Sequence, residues 1–261
     1  MSKSKSSVRV ISMVPSWTEM LTSLNIKPVG RTRFCIEPIP DVLNIPIVGG
    51  TKDWNLNLVQ SLTPDLIILD KDENPKSMTE GHTIPMVITH VRDIKSCIEG
   101  IEQIAHVISQ SRPDLGGIID SVLARWQHVE NTPLKTNSIA NPDQLPGLIQ
   151  WIKKPENPVQ SIHYLIWKNP WMQATRETFI GAIAAKAGLP LSTISTGNPY
   201  PEIDLHSLNS DHSLLLFSSE PYPFHKKTDE LKSLPFASAI VDGQSFSWFG
   251  VRSLKFLESL L

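Results

Sequence analysis

Three short apolar segments near the amino terminus each run directly into a polar turn. Their length and apolar character predict buried strands, and they occupy residues 8–14, 45–48 and 66–69. In open α/β sheets, ligands bind just outside the carboxyl ends of the strands. The three turns that follow these segments are therefore expected to form one wall of a binding cleft.

Helical patterns separate these strands and continue along the first half of the chain. Pro15 suits the first turn of a helix after the first strand, and residues 94–108 place apolar side chains on one helical face. Residues 86–89 add another strand signal. This alternation predicts an α/β fold with a mostly parallel, doubly wound sheet.

A long helical pattern at residues 112–130 precedes a second, smaller α/β half. The proline-rich segment after it is expected to be a loop with one short helical turn at residues 148–152. Thr175 is predicted to cap a helix that runs to Ala187. Further strands are predicted at residues 163–167, 214–217 and 239–241, and a closing helix is predicted at residues 251–261.

Composition narrows the classes of partner. The 261 residues include 24 basic and 26 acidic ones and no long block of like charge, which argues against nucleic acid and anionic membranes. Cys35 and Cys97 exclude a disulfide framework and are expected to be free thiols, although one bridge stays open. Without an apolar leader or a run of about 18 apolar residues, we expect a cytoplasmic protein, or a periplasmic one if the true start lies upstream.

The sequence contains none of the familiar catalytic or cofactor signatures, such as Gly-rich phosphate loops, His-Glu-x-x-His or Gly-x-Ser-x-Gly. We therefore expect no enzyme activity, no catalytic residue, no metal ligand and no intrinsic cofactor. Two alternatives stay open. They are a nucleophile built from Ser16 or Cys35 with a distant histidine, and a metal site built from His90 or His163 with Glu19 or Glu220.

Large aromatic residues recur at strand ends and are expected to contact a bulky, partly apolar ligand. They are Trp17, Phe34, Trp54, Trp167, Trp171, Tyr200, Tyr222 and Trp248. The alternative is that half of them belong to the core, because Trp is usually largely buried. Charged residues of the same turns are expected either to meet polar groups of the ligand or to form structural salt bridges. These are Lys52, Lys71, Arg92, Arg252, Glu19, Glu73 and Glu220.

Four motifs of the first half, in this order and spacing, resemble the class III periplasmic binding protein superfamily. They are RVISMVPSWTE at residues 9–19, PVG at 28–30, VGGT at 48–51 and LTPDLII at 62–68. That superfamily holds receptors for cobalamin, iron-siderophores and metals. The set is most similar to the cobalamin-receptor branch, including the relatives called helical backbone metal receptors.

The resemblance implies two Rossmann-like lobes with mostly parallel sheets, bridged by a single long α-helix. The limits here would be an amino-terminal lobe at residues 1–111, the helix at 112–130 and a carboxyl-terminal lobe at 131–261. It also implies non-catalytic binding of a corrinoid, siderophore or metal chelate in the cleft between the lobes. The residues expected to bind that ligand are Trp17, Glu19, Phe34, Lys52, Arg92, Trp167, Trp171, Tyr200, Glu220, Tyr222, Trp248 and Arg252.

Transport receptors of the cobalamin type resemble one another in an exposed glutamate on each lobe that docks onto an ABC permease. The corresponding positions here hold Asn57 and His206. We therefore expect a cytoplasmic relative of ABC-transporter substrate-binding proteins, for which a permease partner stays open. One alternative is a true cobalamin or iron-chelate substrate-binding protein whose export signal lies outside this chain. Another is an enzyme that acts on a tetrapyrrole in the same cleft.

Overall fold

The computed structural model describes residues 8–133, 144–193 and 197–261, which divide between two units. Unit 1 comprises Met1–Val91, Lys95–Asn131 and Trp248–Leu254. Unit 2 comprises Arg92–Ile94, Thr132–Ser247 and Lys255–Leu261. Apart from Arg92–Ile94, the chain therefore enters unit 2 after residue 131, and it supplies one late segment, Trp248–Leu254, to unit 1. The lobe limits expected from the sequence stay a prediction.

The sheet of unit 1 is entirely parallel, as the alternation of strands and helices predicts. Its strands follow the order β3-β2-β1-β4-β5. They are β1 Val10–Ser12, β2 Gly30–Thr32, β3 Ile47–Gly49, β4 Leu66–Asp70 and β5 Met86–Thr89. Every residue of β1 and β4 is buried, which explains why these central strands read as continuous apolar runs.

The sheet of unit 2 is mixed. Its strands follow the order β6-β10-β9-β7-β8. The three central strands run parallel to one another, and the edge strands β6 and β8 are antiparallel to their neighbours. The strands are β6 Leu148–Lys153, β7 Ser161–Trp167, β8 Met172–Ala174, β9 Ser213–Ser218 and β10 Ala237–Val241.

Eight α-helices accompany the two sheets in the described part of the chain. They are α1 Pro15–Ser23, α2 Leu56–Ser61, α3 Ile94–Ser111, α4 Pro113–Asn131, α5 Phe179–Lys186, α6 Thr228–Lys232, α7 Gly243–Ser247 and α8 Arg252–Glu258. Pro15 occupies the first turn of α1, as predicted, because its fixed φ suits that position. The long helix expected at residues 112–130 forms as α4. No helix in these described ranges combines the length and apolar character needed to cross a membrane.

Three local expectations for the second half are wrong. Residues 148–152 belong to β6 and not to a helical turn, because β10 provides an antiparallel partner in the register Val241↔Leu148. The cap of α5 is Thr178 and not Thr175, since the Thr178 hydroxyl accepts a hydrogen bond from the backbone N–H of Gly181 at 3.1 Å. The closing helix is shorter than expected and ends at Glu258.

The Thr178 cap offers a test of the local fold. Thr178→Ala removes the acceptor for an otherwise unpaired N–H at the first turn of α5, so the free energy of unfolding should fall by about 1 kcal/mol. Urea denaturation monitored by circular dichroism measures this change. Thr178→Ser keeps the hydroxyl and should retain most of the stability. Equal losses in the two variants would contradict the capping role.

Candidate functional site

Trp17 is a core residue of unit 1, although its position at a strand end predicts ligand contact. Its side chain is fully buried. The indole Nε1 donates a hydrogen bond to the hydroxyl of Thr89 at 3.1 Å, and the ring centroid lies 4.7 Å from that of Phe249. In this structure the ring therefore presents no surface to a ligand.

Glu19 and Arg252, both expected as polar anchors of the ligand, bind each other instead. The guanidinium Nε lies 3.0 Å from one carboxylate oxygen of Glu19 and 3.1 Å from the other. The same guanidinium lies 5.2 Å from the ring centroid of Trp248, which is itself only 8% exposed. Because Glu19 is buried, the pair fastens Trp248–Leu254 to α1 within unit 1. The alternative of a structural salt bridge therefore describes Glu19 and Arg252 in this structure.

A second buried carboxylate, that of Asp70, organises the turn after β4. Its oxygens accept hydrogen bonds from the Thr89 hydroxyl at 2.7 Å and from the backbone N–H groups of Val91 at 3.1 Å and Asp72 at 3.0 Å. Its backbone N–H donates to the side-chain oxygen of Asn74 at 2.9 Å. The turn at residues 71–74 is thus held by side chains at both of its ends. This network was not identified from the sequence, where Asp70 appears as one charge in a polar turn.

Two predicted residues of unit 1 are solvent-exposed. Phe34 follows β2 and is 52% exposed. The Nζ of the exposed Lys52 donates to the backbone carbonyl of Asp72 at 3.0 Å, in the turn after β4. Trp54, at the isolated bridge with Gly49, is half-buried. Phe34 and Lys52 keep accessible surface, and their role in ligand contact stays a prediction.

The thiol of Cys35 is enclosed by hydroxyl groups. Its Sγ lies 3.1 Å from the Oγ1 atoms of both Thr18 and Thr32. Burial raises the pKa of the thiol, and the hydrogen bonds only partly offset that effect. Because the thiolate is the nucleophilic form, this environment disfavours the alternative of a reactive cysteine.

In unit 2, the structure brings Trp167, Trp171 and Tyr222 into one aromatic patch. Trp167, at the end of β7, is 42% exposed, and its ring meets that of Tyr222 edge to face at 5.3 Å. Tyr222 lies 4.6 Å from the ring of Phe224, which is stacked against Trp171 at 6.1 Å with an interplanar angle of 4°. We call Trp167, Trp171, Tyr222 and Phe224 together the aromatic patch. Phe224, fully buried, is the member not identified from the sequence.

Lys168 supports the aromatic patch from one side. Its Nζ lies 5.3 Å from the ring centroid of Trp171 and forms an ion pair with the carboxylate of Glu230. A cation over the face of an indole ring is attracted by the quadrupole of the ring. The ion pair and the ring contact together fix the position of Lys168. The patch therefore combines the exposed ring of Trp167 with three rings that are partly or fully buried.

The remaining predicted residues are Glu220, Tyr200 and Arg92. Glu220 follows β9, and its carboxylate accepts hydrogen bonds from Gln244 at 3.3 Å and Ser247 at 3.4 Å. Tyr200 is half-buried, and Arg92 is exposed. Ligand contact for these three residues stays a prediction.

Asn57 and His206, at the positions that the resemblance assigns to docking glutamates, are both exposed. Asn57 lies in α2, and His206 lies in a short 3-10 turn capped by the side chain of Asp204. Either residue is accessible to a partner. Whether a permease docks there stays a prediction.

His163 is buried in β7 and is held by a polar network. Its Nδ1 donates to the side-chain oxygen of Gln173 at 2.9 Å, and the Thr193 hydroxyl donates to the same oxygen at 2.5 Å. Burial lowers the pKa of His163, because desolvation of the imidazolium outweighs the hydrogen bond with Gln173. Among the described residues, no three His, Cys, Asp or Glu side chains are grouped as a metal site would require.

The Glu19–Arg252 pair predicts a large effect on stability. Arg252→Met leaves the buried carboxylate of Glu19 without its partner and should lower the free energy of unfolding by about 3 kcal/mol. The matched control is Arg33→Met, which breaks the exposed pair between Arg33 and Asp53 and should cost less than about 1 kcal/mol. Chemical denaturation of both variants tests this difference. Similar losses would contradict a specific role for the buried pair.

The lowered pKa of His163 predicts a pH dependence of stability. The unfolded chain binds this proton more readily than the folded chain, so stability should fall as the pH drops below the unfolded pKa of about 6.5. His163→Gln should make the free energy of unfolding less dependent on pH between about 7.5 and 5.5. The exposed His225→Gln should leave the slope unchanged. An unchanged slope in His163→Gln would contradict the prediction.

The sequence matches no known family model and no curated protein. Solved structures, in contrast, match the chain over almost its whole length. The periplasmic vitamin B12 binding protein BtuF of Vibrio cholerae is 16% identical, with a TM-score of 0.66 over 97% of this chain and 94% of that one. The apo periplasmic heme-binding protein RhuT of Roseiflexus sp. RS-1 is 17% identical, with a TM-score of 0.64 over 98% and 97%.

A third solved structure is that of IsdE of S. aureus complexed with heme. It is 15% identical, with a TM-score of 0.69 over 98% of each chain. At such low identity the likeness establishes the fold alone. The chain therefore has the α/β fold of the class III periplasmic binding proteins, as its four sequence motifs imply.

Proposed function

We propose that this protein binds a bulky, partly apolar ligand of the corrinoid, heme or metal-chelate type and does not transform it. The single observation that carries the proposal is the aromatic patch of unit 2. Its 42% exposed indole, Trp167, packs edge to face against Tyr222, which in turn contacts the stacked pair of Trp171 and Phe224. The fold supports the same proposal, because the solved structures with this fold include proteins named for binding vitamin B12 or heme.

The geometry of the patch suits the face of a large planar ligand. Exposed Trp and Tyr rings offer broad contact area at low conformational cost, because each ring has only two rotatable side-chain bonds. The contacts with Tyr222 restrain Trp167, and the stacked pair of Trp171 and Phe224 restrains Tyr222 in turn. A ligand that covers Trp167 would therefore meet an already ordered surface, which lowers the entropic cost of binding.

We infer, as the first candidate function, that this protein binds its ligand without docking onto a permease. The two positions that resemble docking sites of transport receptors hold an amide, Asn57, and an imidazole, His206, in place of carboxylates. Neither side chain provides the fixed negative charge that an arginine of a partner would pair with. Delivery to an ABC permease is the second candidate, and the fold favours it, since one solved structure with this fold is named as an ABC transporter substrate-binding protein of Listeria monocytogenes.

The proposed function predicts quenching of intrinsic tryptophan fluorescence. Cyanocobalamin, hemin and a ferric siderophore absorb light, so the member of this panel that binds beside Trp167 should quench the emission in a saturable way. Trp167→Leu should weaken its affinity, measured by calorimetry, by about 2 kcal/mol, which is the size expected for a central aromatic contact. Trp151→Leu, on the edge strand β6, removes another partly exposed indole and should leave the affinity unchanged.

Two outcomes would contradict the proposal. One is the absence of saturable binding for every ligand of the panel, in both fluorescence and calorimetry. The other is binding that Trp167→Leu and Trp151→Leu weaken equally, since this would separate the ligand from the aromatic patch. Conversion of a bound ligand into product would contradict the non-catalytic part alone.

A further inference from the structure

Unit 1 has a separate pocket at the carboxyl end of β4, beside the edge strand β5. Its volume is about 450 Å³, which falls within the usual range for small-molecule sites. All of its lining residues lie in Leu69–Asp70, in the polar segment that follows β4 or in β5. The aromatic patch contributes none of them, so the chemistry of this pocket can be considered by itself.

One wall of the pocket is apolar. It consists of Leu69, Pro75 and Ile88. Leu69 and Ile88 are paired in register on β4 and β5. Leu69 is buried, so the accessible apolar surface comes from Pro75 and from Ile88, which is 37% exposed although it lies inside a strand. An apolar surface of this kind favours a ligand with a hydrocarbon or aromatic body, because covering it removes apolar area from water.

Most polar groups of the lining are already engaged with the protein. The carboxylate of Asp70 accepts three hydrogen bonds, as described above. The amide of Asn74 donates to two backbone carbonyl oxygens, at 2.9 and 3.3 Å, and its oxygen accepts the backbone N–H of Asp70. The hydroxyl of Thr79 donates to a backbone carbonyl at 2.8 Å. These groups shape the pocket but retain little capacity to bind a ligand.

Two ammonium groups remain available, those of Lys71 and Lys76. Both side chains line the pocket and are exposed. Neither ammonium group forms a hydrogen bond or an ion pair with any residue in the described part of the chain. Lysine carries three donors and no acceptor, so each of these solvent-exposed ammonium groups can donate to an acceptor on a ligand, best to an anion.

We propose that this pocket binds a small organic anion with an apolar body, of the aryl- or alkyl-carboxylate class. The body would lie against Pro75 and Ile88, and the carboxylate would lie between the ammonium groups of Lys71 and Lys76. The two lysines outnumber the single carboxylate of the lining, Asp70, whose charge is already stabilised by three donors. This site goes beyond the proposed function, because it lies within unit 1 and uses none of the rings of the aromatic patch.

The probe for this site is 4-phenylbutanoate, measured by isothermal titration calorimetry with the full chain. We expect saturable binding, and we expect the double variant Lys71→Gln/Lys76→Gln to weaken it at least about tenfold through the loss of two charge-assisted hydrogen bonds. The matched control is Lys27→Gln/Lys95→Gln, which removes the same net charge from exposed positions of unit 1 outside the pocket and should retain the affinity. These surface changes touch no buried group.

A second pair of measurements tests the anion and the location. The neutral alcohol 4-phenyl-1-butanol should bind at least about tenfold more weakly than the acid, because it offers the ammonium groups no charge. Ile88→Asp should abolish binding of the acid, and Trp167→Leu should leave it intact. Absence of saturable binding, equal binding of acid and alcohol, or equal losses in the two lysine double variants would each overturn the proposal. Loss of binding in Trp167→Leu would place the probe on the aromatic patch and would also overturn it.

Discussion

Unit 1 depends on the buried carboxylate of Asp70. A buried carboxylate destabilises a fold unless hydrogen bonds satisfy it, and here three donors from two chain segments converge on it. Thr89, one of these donors, also accepts the indole N–H of Trp17. One chain of hydrogen bonds therefore joins α1, β5 and the end of β4. The same carboxylate fixes the turn that carries Lys71 and Asn74. The hydrogen bonds that satisfy Asp70 in the core therefore also position the polar wall of the unit 1 pocket.

The two units offer ligands different chemistry as a result. In unit 1, the polar groups near the strand ends are largely occupied by one another, and the chemistry left to a ligand is an apolar wall with lysines. In unit 2, the exposed indole of Trp167 and the partly buried rings of Trp171 and Tyr222 provide contact area. The carboxylate of Glu220 is held by Gln244 and Ser247. A small anion and a large planar ligand are accordingly proposed for different surfaces.

The sequence predicts most of the architecture, because the strands and helices of unit 1 are indicated by patterns among residues that are close together in the sequence. It does not predict the edge strands β6 and β8. β6 forms by antiparallel pairing with β10, which is distant in the chain, and β8 pairs with the preceding strand β7 but comprises only Met172–Ala174. The site was predicted only in part for a related reason. Arg252 and Glu19 are separated by 233 positions, and no local pattern shows that two candidate ligand anchors would neutralise each other. Trp167 and Tyr222 are found together because Trp167 ends β7 and Tyr222 follows β9, and these two strands are parallel neighbours.

The ion pair between Glu19 and Arg252 also bears on how the chain folds during synthesis. Domains generally fold as units while the chain emerges from the ribosome. Unit 1 receives Trp248–Leu254 only after the whole of Thr132–Ser247 has been made. During that interval Arg252 has not been synthesised, so the carboxylate of Glu19 lacks the guanidinium with which it pairs in the folded protein. A fragment that ends at Asn131 would lack Arg252 altogether. Unit 1 is therefore compact in space but is assembled from segments that are translated at different times.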